Sequence, residues 1–412
     1  MNNRLDVLVT NNVVADASET FQENITRYID GAFSFTSQAQ GGYATATFSL
    51  KVNSVKAYQI LADYLGKRIV FTSPHAGNVD LICWEGLIYT ITIDDGASSV
   101  SRSLANVYNH VGVRYAPLTY DASNNAVYGA TTITPAADYT PTQALYGMRE
   151  LLYPIGGVSD ANAINLRDLL LSYYENAIAM NSGAQHGGAL TLGMGMIVPT
   201  QRFGVRSSGK SLLSVTVDCV GIWETLDKRF YVQTASSAMA SLDTIVKAAL
   251  NPSTGVAQFA NADQSQINAN ARTTSQYIDS RITAQKYLDY LCQLGGSNNL
   301  RYFIQLLENG RPYYFEQPTG TAYHAHRLDT LEAIYDATTG VRVPPWLVLP
   351  GRVITFDDVL PDAVVYSNDL ANARSFLIGE TIFTAPAQLI LRPQVADPAQ
   401  MKLSRIGMGD FY

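Results

Sequence analysis

The chain has 412 residues, which at roughly 150 residues per domain predicts two to four domains and a sizeable buried core. With 47% hydrophobic and only 15% charged residues, it is too apolar for an intrinsically disordered protein. The formal net charge is -7, from 28 basic and 35 acidic side chains with no basic cluster. This negative net charge without a basic cluster excludes a protein that binds the phosphates of a nucleic acid.

Cysteines are too few and too scattered for a disulfide framework or a thiolate metal site. We expect ordinary core thiols at Cys83, Cys219 and Cys292. The first ten residues lack an apolar core of signal-peptide length, and nowhere do about 18 apolar residues run together. The sequence therefore predicts assembly in a reducing cytoplasm without membrane insertion.

Tyrosine is unusually frequent, with 25 residues against 14 phenylalanines and 3 tryptophans. A tyrosine ring buries apolar area while its hydroxyl stays hydrated, which suits large, semi-polar contacts between subunits. The composition therefore favours an assembly protein.

The first part of the chain is predicted to be rich in strands. Residues 44–52 alternate between apolar and polar side chains after Gly41-Gly42, which indicates a hairpin strand with one solvated face. A short helix around Tyr58 follows. Two further strands each place four apolar residues on one side: Leu87, Tyr89, Ile91 and Ile93, then Val107, Val111, Val113 and Tyr115. These elements predict a small barrel, closed or nearly closed, because closure removes exposed strand edges.

The pattern changes over residues 116–201, where Thr, Ala, Pro and Asn dominate the first part. One helix is predicted there over Asn162 to Met180, after the candidate caps Ser159 and Asp160. Its helical spacing depends on five apolar residues: Leu166, Leu169, Leu170, Tyr173 and Ile178. Residues 213–219 then alternate again. The barrel pattern thus resumes after a loop-rich insertion, and the first domain is predicted to be discontinuous.

Two helices are predicted next, over about Ser237 to Leu250 and about Thr274 to Leu294. Gly295-Gly296 ends the second helix, because glycine supplies left-handed geometry. Five apolar residues make that helix amphipathic: Tyr277, Ile278, Ile282, Leu288 and Leu291. The clearest hairpin joins residues 301–307 to 312–316 through Asn309-Gly310, which suits a type I′ turn. Further strands and loops are predicted to residue 391.

Residues Gly204 to Ser211 match the phosphate-loop formula of Gly, four residues, then Gly-Lys-Ser. Nucleotide binding needs a helix that begins at Lys210, so that its N-terminal amides face the phosphates, but the following residues alternate like a strand. No second strand that ends in a magnesium-binding Asp is apparent. We interpret the match as a Ser/Gly turn between two strands.

His324 and His326 lie two residues apart on a predicted strand, so their imidazoles share one face and are able to start a metal site. A third ligand is missing nearby, since Asp329 and Glu332 are the only acidic candidates close in sequence. We favour a pair of surface or interface histidines, with a metal as the alternative.

Two acidic patterns are weaker candidates for chemistry. Residues 121–125 open like a calcium loop, but the sixth position is not Gly and Thr132 replaces the Glu of the twelfth, so a polar turn is predicted. The paired acids at 94–95 and 357–358 would point to opposite faces of a strand, so they cannot share a substrate. A glycosidase pair of distant carboxylates stays open. No catalytic, cofactor-binding or metal-binding residue is assigned, and no cofactor.

A set of short motifs stands in a fixed order along the chain. The set comprises Gly42 to Leu50, Trp84 to Tyr89, Ser101 to Leu104, Asn106 to Tyr115, Tyr146 to Glu150, Val217 to Gly221, Gly295-Gly296, Arg301 to Phe303, Arg311 to Glu316 and Pro350 to Arg352. In order and spacing, this set resembles the tail or baseplate hub proteins of tailed bacteriophages. The resemblance spans nearly the whole chain.

The resemblance implies a trimer with two tube-like antiparallel β-barrels per subunit, so that six barrels form a ring. The ring would dock on a sixfold tail tube and accept a threefold spike, with the DNA-conducting channel through its centre. Further implied partners are the C-terminus of the tape-measure protein and distal tail or wedge proteins, and the implied location is the virion. The family implies no catalytic residues. The chain ends at Tyr412 without a spike or lysozyme domain, so the spike is expected to be a separate protein.

The expected fold class is therefore α+β and β-dominated, with two barrel domains and helical insertions. The first barrel is assigned to residues 1–118 plus about 203–235. The loop-rich insertion, about 119–202, contributes to the second barrel, and a helical region covers about 236–298. Residues from about 299 to 412 supply the second barrel and C-terminal β elements.

Two other functions remain open on the sequence. One is a tail-tip hydrolase of bacterial wall or surface glycan. The other is a distal tail or receptor-contacting binding protein, for which the resembling family more usually forms hexamers. A wall-degradation assay separates the first from a structural hub, and the mass in solution separates the second.

Overall fold

Strands make up most of the regular structure. The computed structural model describes residues 6–10, 21–74, 80–94, 98–177, 179–183, 190–192, 212–230, 239–275, 282–296, 300–325, 334–356, 375–385 and 388–394. The earlier strands are β1 (Asp6–Thr10), β2 (Phe21–Asn24), β3 (Ser34–Gln38), β4 (Gly41–Val52), β5 (Arg68–Pro74), β6 (Asp80–Asp94), β7 (Ser98–Ser103), β8 (His110–Tyr120), β9 (Ala126–Tyr128), β10 (Thr132–Ile133), β11 (Ala137–Asp138) and β12 (Glu150–Val158). The later strands are β13 (Ala179–Gly183), β14 (Leu190–Leu192), β15 (Leu213–Val220), β16 (Met239–Ser241), β17 (Thr273–Ser275), β18 (Tyr302–Leu306), β19 (Pro312–Glu316), β20 (Thr321–Ala325), β21 (Ile334–Asp336), β22 (Val353–Phe356), β23 (Ser375–Thr384) and β24 (Gln388–Pro393).

The α-helices of the described residues are few and short. They are α1 (Ser54–Asp63), α2 (Thr140–Tyr146), α3 (Asp160–Tyr174), α4 (Leu242–Ala249) and α5 (Ala284–Leu294). Within the described ranges, none of the helices is long and apolar enough to cross a bilayer.

One curled sheet of 17 strands contains most of the described strands. At its centre β4 hydrogen-bonds to β3 on one side and to β15 on the other, and β15 pairs in turn with β6. The path continues through β5 to β1 and β2. After β2, the Ile25 N–H donates to the Val7 carbonyl of β1 at 2.9 Å, and Ile29 then bridges to Leu50 of β4. These contacts curl the sheet into a half barrel.

The alternating patterns predicted for β4 and β15 are confirmed. Ala46 and Phe48 of β4 are buried, while Thr45 and Thr47, which alternate with them, are exposed. Buried and half-buried residues alternate along all of β15, which lies between β4 and β6. The strand pattern therefore does resume after the insertion.

The prediction of an apolar face on β6 is confirmed only towards the C-terminal end of the strand. Ile91 and Ile93 are fully buried in the main core. Ile88, rather than Tyr89, is the next residue in that core, because the pairing with β15 skips Tyr89: Thr90 lies opposite Asp218, and Ile88 lies opposite Cys219. Beyond this irregularity, Leu87 packs in a second core.

The C-terminal strands extend the same sheet from β3. β23 pairs with β3 and β24, and β22 pairs with β23 and, in parallel, with β20. The rings of Phe35 and Phe383 lie 5.2 Å apart, so these strands share the main core with the N-terminal ones. The pairings support the α+β, β-dominated class. The division into two barrels and the domain bounds stay predictions.

The second core lies between α4, α5 and the hairpin of β18 and β19. This hairpin has the predicted turn: Asn309 and Gly310 have φ of 58° and 64°, as a type I′ turn requires, and the Arg311 N–H donates to the Glu308 carbonyl at 3.2 Å. Gly295, with φ of 69°, ends α5 as predicted.

Both helices of this core are shorter than predicted. α4 begins at Leu242 rather than near Ser237, and α5 begins at Ala284 rather than near Thr274. The reason is strand pairing, because the residues before each helix include β16 and β17, which pair with one another. Tyr277 and Ile278 lie outside the described residues.

Residues 110–174 form a small module, which we call the insertion module; it combines β8 with the first part of the predicted insertion. Its five-stranded sheet is built on β8, which pairs in parallel with β12 along one edge and with β9, β10 and β11 along the other. α3 packs on the face that carries Val113 and Tyr115. Ser159 caps α3 as predicted, but the helix ends at Tyr174 rather than Met180. Three residues after that end, the Ala177 carbonyl accepts a hydrogen bond from Arg102 Nε of β7 at 3.3 Å.

A buried ion pair joins the curled sheet to the hairpin of the second core. Arg68 of β5 donates to Glu85 of β6, and both side chains are 1% exposed. The other oxygen of Glu85 accepts the backbone N–H of Gly310 in the hairpin turn, and Arg68 donates to Asn309 Oδ1 at 3.4 Å. Burial raises the pKa of Glu85, against the opposing effect of Arg68 and of the turn amides.

We expect Ile91→Asp to lower the free energy of unfolding by several kcal/mol, because it buries a carboxylate without a partner. Thr92→Asp, on the half-buried opposite face of β6, is the matched control and is expected to change stability little. Urea unfolding followed by circular dichroism measures both. A larger loss for Thr92→Asp would mean that the faces of β6 are reversed.

We expect Glu85→Ala to cost about 3 to 5 kcal/mol, because it leaves the Arg68 charge buried and uncompensated. Glu85→Gln combined with Arg68→Met should recover part of this loss, since it removes both charges and keeps an acceptor for the Gly310 amide. Chemical denaturation of the single and double variants measures the coupling. A loss below about 1 kcal/mol for Glu85→Ala would contradict a structural role for the pair.

Candidate functional site

Exposed apolar side chains are concentrated on the insertion module. Of the sixteen large hydrophobic residues that are exposed among the described ones, nine lie in this module. They are Tyr120, Val127, Tyr128, Ile133, Leu145, Tyr153, Ile164, Leu169 and Tyr173. Exposed apolar clusters of this kind mark interaction surfaces. The module is therefore the candidate functional site.

The sheet of the module has one face covered by α3 and one face turned away from it. Side chains alternate along a strand, so Arg114 and Leu118 of β8 point away from the face that holds Val113 and Tyr115. Their cross-strand neighbours lie on the same face, Ile133 beside Arg114 and Tyr128 beside Leu118.

Glycines in the strands let these side chains lie across the backbone. A Cβ built on Gly112 would lie 3.4 Å from Ile133 and 3.5 Å from Leu152, and one on Gly157 would lie 2.1 Å from the ring of Tyr128. Tyr128 is 63% exposed and Ile133 43% exposed, so within the described chain this face is open to solvent. We call it the outer sheet face, formed by Arg114, Leu118, Tyr128, Ile133 and Leu152.

α3 also carries apolar side chains on its solvent side. Only Ala163 of the helix is fully buried, while Leu169 and Tyr173, one turn apart, are 58% and 71% exposed. Asp168 points about 100° around the helix from Leu169; its side chain is 55% exposed, and its Oδ1 accepts from Arg167 Nε at 2.8 Å. We call the surface formed by Leu169 and Tyr173 the outer helix face.

Helical spacing places Leu169 and Tyr173 in the predicted helix, but it assigns no surface that covers them. Periodicity shows that a face is apolar, not which surface covers it. The residues of the outer sheet face were not singled out, although the tyrosine content pointed to subunit contacts.

A buried arginine fixes the insertion module to the curled sheet. Arg149, at the start of β12, donates from Nε to the Val107 carbonyl at 2.9 Å and from Nη2 to the Leu104 carbonyl at 2.8 Å. Its guanidinium also lies 5.6 Å from the ring centroid of Tyr89. Burial lowers the pKa of Arg149. The guanidinium thus takes up backbone carbonyls that would otherwise be buried without donors.

A second buried arginine, Arg102, forms hydrogen bonds at or just beyond the C-terminal ends of α1, α2 and α3. Arg102 of β7 donates from Nη1 to the Leu61 and Ala62 carbonyls at the end of α1, each at 3.0 Å. Its other nitrogens bind the Tyr146 hydroxyl at the end of α2, at 3.2 Å, and the Ala177 carbonyl beyond α3, at 3.3 Å. A cation at the carbonyl end of a helix is favourable. The module is therefore held in a fixed orientation.

A polar cluster joins the base of the module to the chain after β15. His110 Nδ1 lies 2.7 Å from Asp138 Oδ1, and its Nε2 lies 3.9 Å from Glu150. The other oxygen of Glu150 accepts from the Phe230 N–H at 2.6 Å and from Arg229 Nε at 3.2 Å. These contacts are part of the framework that presents the two outer faces.

The residues considered for chemistry from the sequence do not assemble into a site within the described chain. His324 lies exposed on β20, and His326, Asp329 and Glu332 lie outside the described residues, as do Gly204 to Ser211, Asp95, Asp357 and Asp358. Asp121 forms the predicted polar turn, accepting the N–H groups of Ser123 and Asn125 at 2.8 Å each. Across the described ranges, no group of three His, Cys, Asp or Glu side chains is placed to hold a metal ion. All three cysteines are buried and unpaired by disulfides, as predicted.

Two carboxylates with raised pKa values lie where α5 meets the 3-10 helix Ile222–Lys228. Burial raises the pKa of Asp289 to about 6, with Gln40 and Arg301 opposing the shift and Glu224 adding to it. Burial also raises the pKa of Glu224. Asp289 Oδ1 is buried and has no hydrogen-bond partner among the described residues. No local sequence pattern predicts this pair, because Glu224 and Asp289 are far apart along the chain.

Asp289 should make stability depend on pH. Its pKa is higher in the folded than in the unfolded chain, so its contribution is fully present below about pH 4 and is lost as the pH rises through about 6. A shift of about 2 units corresponds to about 3 kcal/mol. Asp289→Asn is therefore expected to be more stable than the wild type at pH 7.5, with the difference gone near pH 4.

Thermal unfolding between pH 4 and pH 8 measures this difference. Asp227→Asn, at an exposed position of the neighbouring 3-10 helix, is the control and should follow the wild-type profile. An Asp289→Asn profile parallel to that of the wild type would show that this carboxyl does not titrate in the range.

Comparison with known proteins gives a weak likeness among solved structures. The sequence matches no protein-family model, and no curated protein matches it. Among solved structures, the chain is similar to the 43 kDa tail protein of prophage MuSo2 from Shewanella oneidensis, with a TM-score of 0.36 and 9% sequence identity over 95% of each chain.

Proposed function

We propose that this chain is a structural component of a bacteriophage tail, the hub of a tail tip or baseplate. In this role it is a trimeric adaptor that joins the sixfold tail tube to the threefold spike and surrounds part of the DNA channel. It has no catalytic role and needs no cofactor. Its place is the virion, after assembly in the host cytoplasm.

The observation that carries the proposal is the concentration of exposed apolar side chains on a rigidly held module. Tyr120, Tyr128, Tyr153 and Tyr173 are among them, and tyrosine is typical of protein interfaces. A chain that stayed single in solution would expose this surface to water at a cost in solubility. Permanent assembly removes that cost.

The order of the family-like motifs is a second support, because those motifs meet in space. Glu85 of the Trp-Glu-Gly motif binds the Gly310 amide, next to the Arg-Pro-Tyr-Tyr motif. The carbonyl of Pro350 accepts from Gln305 at 3.0 Å, and the guanidinium of Arg352 lies 4.5 Å from the ring centroid of Phe315. These contacts bring motifs that are far apart in the sequence together in the fold.

The proposed partners follow from the hub role: the tail tube protein, a separate spike or tail-tip protein, the C-terminus of the tape-measure protein, and distal tail or wedge proteins. DNA passes through without being held, which agrees with the net charge of -7. Incubation of the protein with bacterial wall and surface glycan tests the alternative function, since measurable degradation would favour a hydrolase over a structural hub.

We expect the protein to be a trimer, with three times the monomer mass of 44.9 kDa, from low salt to about 1 M, where the Debye length is about 3 Å. Contacts built mainly from apolar and tyrosine side chains depend little on salt. Light scattering coupled to size exclusion measures the mass. A monomer at micromolar concentration, or dissociation by salt alone, would overturn the hub proposal.

A further inference from the structure

The hairpin turn that binds Glu85 contains Asn309-Gly310, the one Asn-Gly pair in the sequence. In an open chain such a pair is chemically labile, because the glycine nitrogen is able to attack Cγ of the asparagine and glycine has no Cβ to hinder the approach. A bond forms between Gly310 N and Asn309 Cγ, and the bond between Cγ and Nδ2 breaks. Ammonia leaves with the proton of the glycine nitrogen. Water then opens the cyclic imide at either carbonyl, which gives aspartate or iso-aspartate.

The backbone of the turn keeps the two reacting atoms apart. Ring closure needs Gly310 N on the same side of the Cα–C bond of Asn309 as Cβ. At ψ of 28°, this nitrogen lies nearly opposite Cβ, so Cγ cannot come within bonding distance of it in any rotamer. The Gly310 N–H also donates to the Leu307 carbonyl at 2.9 Å, inside the turn. The folded conformation is therefore unreactive.

Contacts with the rest of the chain hold the turn in this conformation. Glu85 accepts the Gly310 N–H, and Arg68 Nη2 donates to Asn309 Oδ1 at 3.4 Å. The Gly310 carbonyl accepts from the Asn261 N–H at 2.9 Å. Asn309 itself is exposed, so water reaches it. Its protection therefore depends on backbone geometry and not on burial.

We propose that Asn309 is a modification site that the contact with β6 protects, and that it cyclises when the turn leaves β6. Such an opening is a local event, which needs at most the free energy of global unfolding. The proposal is independent of the assembly role above, since it needs only contacts within one chain.

The products make a transient opening permanent. Iso-aspartate adds a methylene to the backbone of a two-residue turn, and this disrupts the turn that sets the register of β18 and β19. Aspartate places a carboxylate where Arg68 now binds an amide, next to the buried carboxylate of Glu85. Two carboxylates that share a site oppose each other's ionisation. Either product therefore weakens the contact between the hairpin and the curled sheet.

Deamidation of the purified full-length protein at mildly alkaline pH tests the protection. Peptide mass spectrometry detects the reaction at residue 309 as a gain of one dalton, and chromatography separates iso-aspartate from aspartate. We expect the reaction to be at least about tenfold slower in the folded protein than in the same protein in urea, because only the open fraction reacts. Equal rates in the two states would contradict the proposal.

Removal of the acceptor on β6 tests the role of this contact. Glu85→Ala should raise the rate in the folded protein at least about threefold, because it increases the open fraction. Glu380→Ala, which removes an ion pair with Arg392 between β23 and β24, is the control and should keep the wild-type rate. Circular dichroism shows whether each variant is folded. An unchanged rate in folded Glu85→Ala would show that the contact with β6 does not protect Asn309.

Hydrogen exchange of the wild type gives a measurement that needs no variant. The Gly310 amide exchanges only when the turn opens, so its exchange rate relative to that in the unfolded chain gives the open fraction. The deamidation rate relative to the unfolded chain should equal this fraction or fall below it. A higher rate would mean that Asn309 cyclises without opening, which overturns the proposal.

Discussion

The buried pair of Arg68 and Glu85 sets a condition that the surrounding structure has to meet. Two charges that are 1% exposed are costly unless they are paired and hydrogen-bonded, and one of the hydrogen bonds to Glu85 comes from the Gly310 amide of a distant hairpin. The hairpin turn must therefore lie against β6. At this point a buried ion pair links the main core to the second core, whereas each core is stabilised internally by the burial of apolar side chains.

Close approach of backbones accompanies this junction. A Cβ on Gly86 would lie 2.2 Å from the Val220 carbonyl oxygen, one on Gly42 2.5 Å from that of Leu306, and neither is possible without displacement. Glycine is required at both places because backbone lies where a side chain would be. The Trp-Glu-Gly motif thus combines a buried ring, a buried charge and a close approach in three consecutive residues, since Trp84 is also fully buried.

Patterns of neighbouring residues predicted individual strands, helices and turns, but they could not predict contacts between residues that are far apart in the sequence. The alternation of β4 and β15 and the turn at Asn309-Gly310 depend on neighbouring residues, so the sequence was sufficient. The Arg68 and Glu85 pair could not be found, because two charged residues suggest a surface until the fold brings them together. The start of α5 was misplaced for a similar reason: pairing of β17 with β16 overrides helical spacing there. On α3, spacing alone left the covering surface of Leu169 undefined.

The position of β15 between β4 and β6 has a consequence for synthesis of the chain. Residues 95–212 separate β6 from β15, so the facing edges of β4 and β6 stay unpaired until that whole stretch has been translated. At about 5 to 20 residues per second, this interval is on the order of ten seconds. Nascent chains on one messenger expose matching strand edges to one another throughout it. The β-rich half therefore closes only after β15 has been translated, and until then pairing between neighbouring chains competes with folding.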